Sequence, residues 1–204
     1  MRRIPLSRRS HVTGFRPAST GCVEHESALE RDFVTLTLFD DADAEITSQP
    51  VTIRFEHGGR ARRYTPDFLV KSSRGTGILI EIKYRADLRA QWQRLRPAFC
   101  AARCWAAAHE LRFRIVTESA VRVARLDAAK RLLALRSVPM DATLATTALA
   151  TAADMVSPTF EALVGALPAS REAALAVVWR LIARGQLRVD LTSPIGRDTR
   201  ITPA

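Results

Sequence analysis

Arg63-Tyr64-Thr65-Pro66-Asp67-Phe68-Leu69-Val70, followed by Ile80-Glu81-Ile82-Lys83-Tyr84, is the stretch on which the reading of the fold turns. Both pieces read as strands. Side chains alternate faces along a strand, so Glu81 and Lys83 share one face while Ile80 and Ile82 point into a core. If the two strands are neighbours, Asp67 and Glu81 can share one divalent cation with the Lys83 ammonium close by.

Outward from this pair, Ile46–Phe55 and Arg62–Val70 read as strands joined by His57-Gly58-Gly59-Arg60, a Gly-Gly hairpin signal. Ile78–Tyr84 is the third strand. From Asp87, a plausible N-cap, a helical run extends to His109, with Pro97 marking a kink or a restart. Leu111–Thr117 is a fourth strand, returning after a crossover long enough for a parallel βαβ unit. Before the strands, Glu24–Phe39 reads as a helix carrying Ala28, Leu29, Phe33, Leu36 and Phe39 at helical spacing. Leu126–Leu135 is a further helix. This order predicts an α/β domain with a mixed sheet flanked by helices.

Residues 1–22 carry five arginines and no acid, and their Pro and Gly breakers predict a flexible basic arm. Ser137-Val138-Pro139-Met140 reads as a linker. Beyond it, Phe160–Leu167 and Glu172–Arg184 read as helices, and Gly185 ends the second. Gln186–Ile201 reads as a two-stranded wing turning at Ser193–Gly196, which predicts a small winged-helix domain. The expected organisation is an arm at 1–22, a catalytic domain at 23–136 and a winged-helix-like domain at 141–204.

The 204 residues, 47% of them hydrophobic, suffice for one generous domain or a core domain with an appendage. No apolar run approaches the ~20 residues of a membrane span, and the basic start lacks the apolar centre of a signal peptide. The three cysteines, Cys22, Cys100 and Cys104, have no zinc-site spacing. A reducing, bacterial-type cytoplasm is the expected compartment. Of the formal net charge of +10, residues 1–140 hold 25 basic and 15 acidic side chains, whereas residues 141–204 hold six of each. The excess predicts a polyanionic partner. Only three of the 31 basic residues are lysine, at 71, 83 and 130. A lysine at 83 therefore has a chemical reading: a compact ammonium sits beside a reacting water where a planar guanidinium does not.

Glu26-Ser27-Ala28-Leu29-Glu30-Arg31-Asp32-Phe33, Gln49-Pro50, Tyr64-Thr65-Pro66-Asp67-Phe68 and Glu81-Ile82-Lys83, in this order, resemble the TnsA-type transposon-end endonucleases. These belong to the metal-dependent nucleases with a Pro-Asp…(Asp/Glu)-x-Lys signature. The resemblance implies a restriction-endonuclease-like fold that cuts the 5′ strands of double-stranded DNA at the ends of a mobile element. A separate transposase makes the 3′ cuts, and an AAA+ ATPase regulator links the machinery to its target. Carried over by residue, Glu30, Asp67 and Glu81 would bind magnesium, with manganese able to substitute, and Lys83 would assist the attacking water. The neutral segment 141–204 is expected to dock protein, the ATPase regulator, rather than to read DNA.

Taken singly, each residue has a plainer reading. Glu30 fits the polar face of an amphipathic helix, Asp67 a solvated strand end, and Glu81 with Lys83 an exposed ion pair. Gln49 reads as structural. The histidines, His11, His25, His57 and His109, share no ligand spacing. Two other functions stay open on sequence alone: a stand-alone restriction or junction-resolving nuclease, and a catalytically silent DNA-bridging adaptor.

Overall fold

A computed structural model describes residues 14–18, 21–72 and 75–204. Residues 1–13, 19 and 20 of the expected basic arm lie outside the described residues. The remainder is not an open arm: β1 (Gly14–Ala18) pairs antiparallel with β2 (Gly21–His25). Because the chain is extended up to His25, the first helix starts later than the periodicity suggests, as α1 (Ala28–Asp40). Ser27 sets that start by accepting the Glu30 N–H at 3.2 Å as N-cap.

The two long strands expected at 46–55 and 62–70 are each broken at a proline. β3 (Glu45–Ser48) and β4 (Ile53–His57) are separated at Gln49-Pro50, and β5 (Arg60–Tyr64) and β6 (Phe68–Lys71) at Thr65-Pro66. Proline has no N–H for a ladder and restricts the residue before it. Each break hands the chain from one sheet to another. β4 and β5 form a separate two-stranded ribbon, turning through Gly58 and Gly59, both at positive φ.

The main sheet has the order β3-β6-β7-β8, completed by β7 (Ile78–Ile82), the long helix α2 (Arg85–Ala108) and β8 (Arg112–Val116). β6 runs antiparallel to β7, and β8 runs parallel to it, so the sheet is mixed, as the α2 crossover requires. Tyr84, not Asp87, stands at the N-cap position of α2, without a side-chain capping bond, and the helix runs through Pro97 without interruption. A short helix, α3 (Glu118–Val121), follows.

β7 is buried on both faces, the mark of a strand with a parallel neighbour beneath helices. On one face Leu79 packs with Ile53, Ala102 and Ala106. On the other, Phe68, paired with Ile80, stacks on Phe33 of α1 at 5.8 Å between ring centroids. A mixed sheet with flanking helices fits a restriction-endonuclease-like fold.

The chain divides into two compact units, the first ending at Val123 and the second beginning at Ala124. The boundary therefore falls before the helix expected to close the first domain, α4 (Arg125–Leu135), not at residues 137–140. The reason lies in the second unit's own bonding. Arg136 Nε donates to the Ala183 carbonyl at 3.1 Å, and Arg184 Nη2 donates to the Val138 carbonyl at 2.9 Å. These bonds tie the expected linker to a helix of the second unit.

That unit continues with α5 (Ala142–Asp154), α6 (Phe160–Ala166) and α7 (Arg171–Ala183), capped by Asp141, Thr159 and Ser170. Gly185, at φ 71°, ends α7 with the paired Gln186-to-Leu181 and Gly185-to-Ile182 bonds of a Schellman turn. β9 (Leu187–Val189) pairs antiparallel with β10 (Ile201–Pro203), so the second strand begins only where the expected wing ends. Leu163, Val178, Leu181, Leu187 and Ile201 form its core. Among the described residues no helix is long and apolar enough to cross a membrane.

Candidate active site

Asp67 sits just before β6 and, one step beyond the Phe68–Ile80 pair, opposite Glu81 on β7. Its Oδ2 accepts the Ile82 N–H at 2.6 Å, which locks the carboxylate against the neighbouring strand. The Gln49 N–H donates to the Asp67 carbonyl at 2.8 Å. To do so Gln49 adopts φ 46°, an unfavourable value for a side-chain-bearing residue. Its Nε2 reaches Glu26 Oε1 at 2.9 Å, so Gln49 is structural: it holds the backbone of Asp67 in place.

Glu81 is 3% exposed, far from the solvated ion pair that its motif alone allows. Lys83 Nζ lies 3.2 Å from Glu81 Oε1, with the Lys83 side chain 35% exposed. The expected shared face of Glu81 and Lys83 is present, but Ile80 and Ile82 do not hold the core alone, since Leu79 and Glu81 are buried on the opposite face. Lys83 follows the last residue of β7 and stays in register through its N–H to the Val116 carbonyl at 3.0 Å.

Tyr64 closes the other side. Its hydroxyl donates to Glu81 Oε2 at 2.5 Å, and its ring meets Phe99 of α2 edge-on. Sequence reasoning assigned Tyr64 no role. The signal was there: from Tyr64 to Ile53, its partner across the hairpin, the inward face of the ribbon is apolar, and a tyrosine on such a face needs a partner for its hydroxyl.

The electrostatics are those of carboxylates gathered ahead of a counter-charge. Burial, and then the charges of Glu81 and Glu30, push Asp67 well above the ordinary carboxylate value, only partly offset by the Ile82 N–H and Lys83. Burial also raises Glu81 against the pull of Lys83 and the Tyr64 hydroxyl. Burial alone would lower Lys83, but the Glu81 and Asp67 carboxylates outweigh it and hold the ammonium above its usual value. Burial and the Glu81 charge push the Tyr64 phenol far up, so it stays a hydrogen-bond donor.

Glu30 is the departure. It lies within electrostatic range of Asp67, Glu81 and Lys83, yet its carboxylate is bonded locally. Oε1 accepts from Ser27 Oγ at 2.8 Å and Oε2 from the Glu26 N–H at 2.7 Å, a variant of the capping box. Among the described residues, no group of three or more His, Cys, Asp or Glu side chains is placed to hold a metal ion. What the structure brings together is a pair of carboxylates with one lysine. The donor chemistry fits magnesium, a hard cation commonly held by one or two carboxylates with water and phosphate completing the shell. A dication would also offset the negative charge that raises both acids.

Removing the Tyr64 hydroxyl isolates its share. Tyr64→Phe leaves Glu81 buried with one oxygen unbonded, and should cost about 1.5–3 kcal/mol, the range for a hydrogen bond to a charged group. Urea unfolding followed by tryptophan fluorescence measures this; an unchanged midpoint would mean that water replaces the hydroxyl.

A comparison with curated proteins finds no match. The family model described as TnsA-like endonuclease N terminal matches residues 40–118, from the end of α1 to the start of α3. The match contains Asp67, Glu81, Lys83 and Tyr64 with the strands that place them, and leaves Glu30 outside. Through residues 40–118, the segment that builds this site, the chain is similar to the TnsA-like endonucleases.

Proposed function

We propose that the chain is a magnesium-dependent endodeoxyribonuclease that cuts the 5′ strands at transposon ends in concert with a transposase. The observation that carries this reading is the juxtaposition of Asp67, Glu81 and Lys83 at the end of the buried strand β7. Asp67 and Glu81 would hold the ion, and Glu30 would join them as a third carboxylate once its N-cap bonds are exchanged. Bound magnesium, or manganese in its place, supplies an activated water and offsets charge growing on the phosphate. Lys83 orients the nucleophile and places a fixed positive charge beside the reacting phosphate. Tyr64 favours the ionised form of Glu81 and aims it, and the Ile82 N–H does the same for Asp67.

The second unit supports a docking role. Its helices α5, α6 and α7, the Thr159–Arg200 bridge and the β9–β10 pair follow each other as in a winged helix. Its residues from 141 onward are electrically neutral and the whole unit from Ala124 holds ten basic against seven acidic side chains, a small excess that favours a protein partner, the AAA+ regulator, over non-specific DNA. Bacterial cytoplasm is the compartment in which such a machine works.

Strand-labelled duplexes carrying the ends of the element test this reading, with magnesium and with the element's own transposase present. Cutting confined to the 5′ strands and abolished by a chelator is expected. No cut under any of these conditions, or a cut that survives chelation, would sink it. In the same assay Glu30→Gln should lose about 10–100-fold, the range seen for residues that support a metal site. Its thermal midpoint should not change, because glutamine also serves in a capping box.

A further inference from the structure

The β4–β5 ribbon has two unlike faces. Facing pairs in an antiparallel ladder lie on one side, so Ile53 with Tyr64 belongs to the inward face that packs beside Leu79 and reaches Glu81. The opposite face carries Arg54 directly across from Arg63. Next to them, toward Asp67, the Thr52 and Thr65 hydroxyls meet at 3.0 Å on that same face.

Like charges directly opposite on a ribbon destabilise it, and neighbouring acids normally relieve them. Here both arginines are exposed, and neither has an ion-pair or hydrogen-bond partner among the described residues. On that face of the ribbon the two arginines are accompanied by one acid, Glu56, opposite Ala61, which forms no ion pair with either. Such an arrangement is unfavourable for the free chain and favourable once an anion lies between the two guanidinium groups, which bind phosphate in a forked geometry.

The position fixes which anion. Arg63 lies four residues before Asp67, at most ~13 Å along an extended chain. On duplex DNA that distance spans about four nucleotides of one strand. We infer that Arg54 and Arg63, on the outer face of the β4–β5 ribbon, clamp the DNA phosphate backbone a few nucleotides from the bond cut at Asp67 and Glu81. The inference rests on the nuclease reading and adds the surface that sets where along the duplex the site engages. One element then serves two purposes: its inner face aims Glu81 through Tyr64, and its outer face grips the substrate.

The test is duplex binding by the full chain in EDTA, followed by fluorescence anisotropy between about 50 and 200 mM salt. Arg54→Gln/Arg63→Gln should lower the slope of log affinity against log salt by about 2, close to one for each phosphate no longer neutralised. Affinity at intermediate salt should fall at least about tenfold, uniformly across sequences. The thermal midpoint should hold or rise, because a repulsive pair has been removed. Arg54→Lys/Arg63→Lys should restore the slope, since the charge alone releases counterions.

An unchanged slope in the glutamine variant overturns the inference, as does a drop in midpoint that accounts for the weaker binding. If the native chain cuts DNA while the glutamine variant keeps the native slope, only the clamp is refuted. If the native chain neither binds nor cuts, the nuclease reading falls with it.

Discussion

Asp67→Asn is expected to abolish cleavage while making the metal-free chain more heat-stable. Asparagine keeps the shape of the side chain, and its carbonyl oxygen can still accept the Ile82 N–H now bonded at 2.6 Å. What disappears is one buried negative charge facing another. Both carboxylates are raised by burial, Asp67 further by Glu81 and Glu30, with Lys83 as the nearby cation. Without a second cation their ionised forms oppose folding. The midpoint should therefore rise by a few degrees. The sign fixes the pH dependence as well. From the ordinary carboxylate range up to the raised folded values, the folded chain retains protons that the unfolded chain has released, so stability falls as pH rises through that window. Above the ordinary carboxylate range the native midpoint should fall with rising pH more steeply than that of Asp67→Asn.

Manganese reverses the ranking. A ligand that binds only the folded chain stabilises it by about 2.7 kcal/mol at a hundredfold excess over Kd. The native chain should gain this and the variant should not. Cleavage should drop on the order of 10³-fold, the upper end of what losing one transition-state-stabilising group costs. Scanning calorimetry with and without manganese measures the stability arm. A variant less stable than the native metal-free chain would show that Asp67 is a structural carboxylate satisfied by Ile82.

How much of this was legible in the sequence follows from which interactions are local. The alternation rule places Glu81 and Lys83 on one face, and the 3.2 Å contact agrees. The Gly58-Gly59 turn and the parallel return of β8 were equally readable, because turn chemistry and crossover length are written in short stretches. The breaks at Gln49-Pro50 and Thr65-Pro66 were visible as prolines, but which sheet each half joins is decided by partners far along the chain. The Tyr64–Glu81 bond links residues 17 apart through a fold-level contact. Glu30 shows the reverse case. The local motif Ser27-Ala28-Leu29-Glu30 is a capping signal, and locally that is how its carboxylate is used, whatever the family pattern implies. The α4 helix was read correctly as a helix and assigned to the wrong unit, because amphipathic spacing does not name the surface a helix will cover.

Lys83 supplies the second large effect, of opposite sign in stability. Lys83→Met removes the ammonium 3.2 Å from Glu81 while keeping much of its length and apolar stem. Glu81, 3% exposed, would then face Asp67 with no cation beside it. Breaking a fully buried pair from one side costs about 3–5 kcal/mol. Here the loss should be smaller, because the Lys83 side chain is 35% exposed and its charge is partly screened by water. Cleavage should fall about 10²–10³-fold, the scale of one missing electrostatic stabiliser. Lys83→Arg separates the two roles. Its charge restores the pairing with Glu81, so the midpoint should recover, whereas the broader planar guanidinium cannot occupy the place of a compact ammonium beside the reacting water, so cleavage should not. Asp67→Asn and Lys83→Met would thus both be inactive while their metal-free midpoints move in opposite directions. A solvated surface ion pair predicts neither shift, being worth about 0–1 kcal/mol in total. Equal midpoints for the two variants would refute a site in which carboxylates outnumber their cation; full activity in Lys83→Arg would reduce the lysine to a counter-charge.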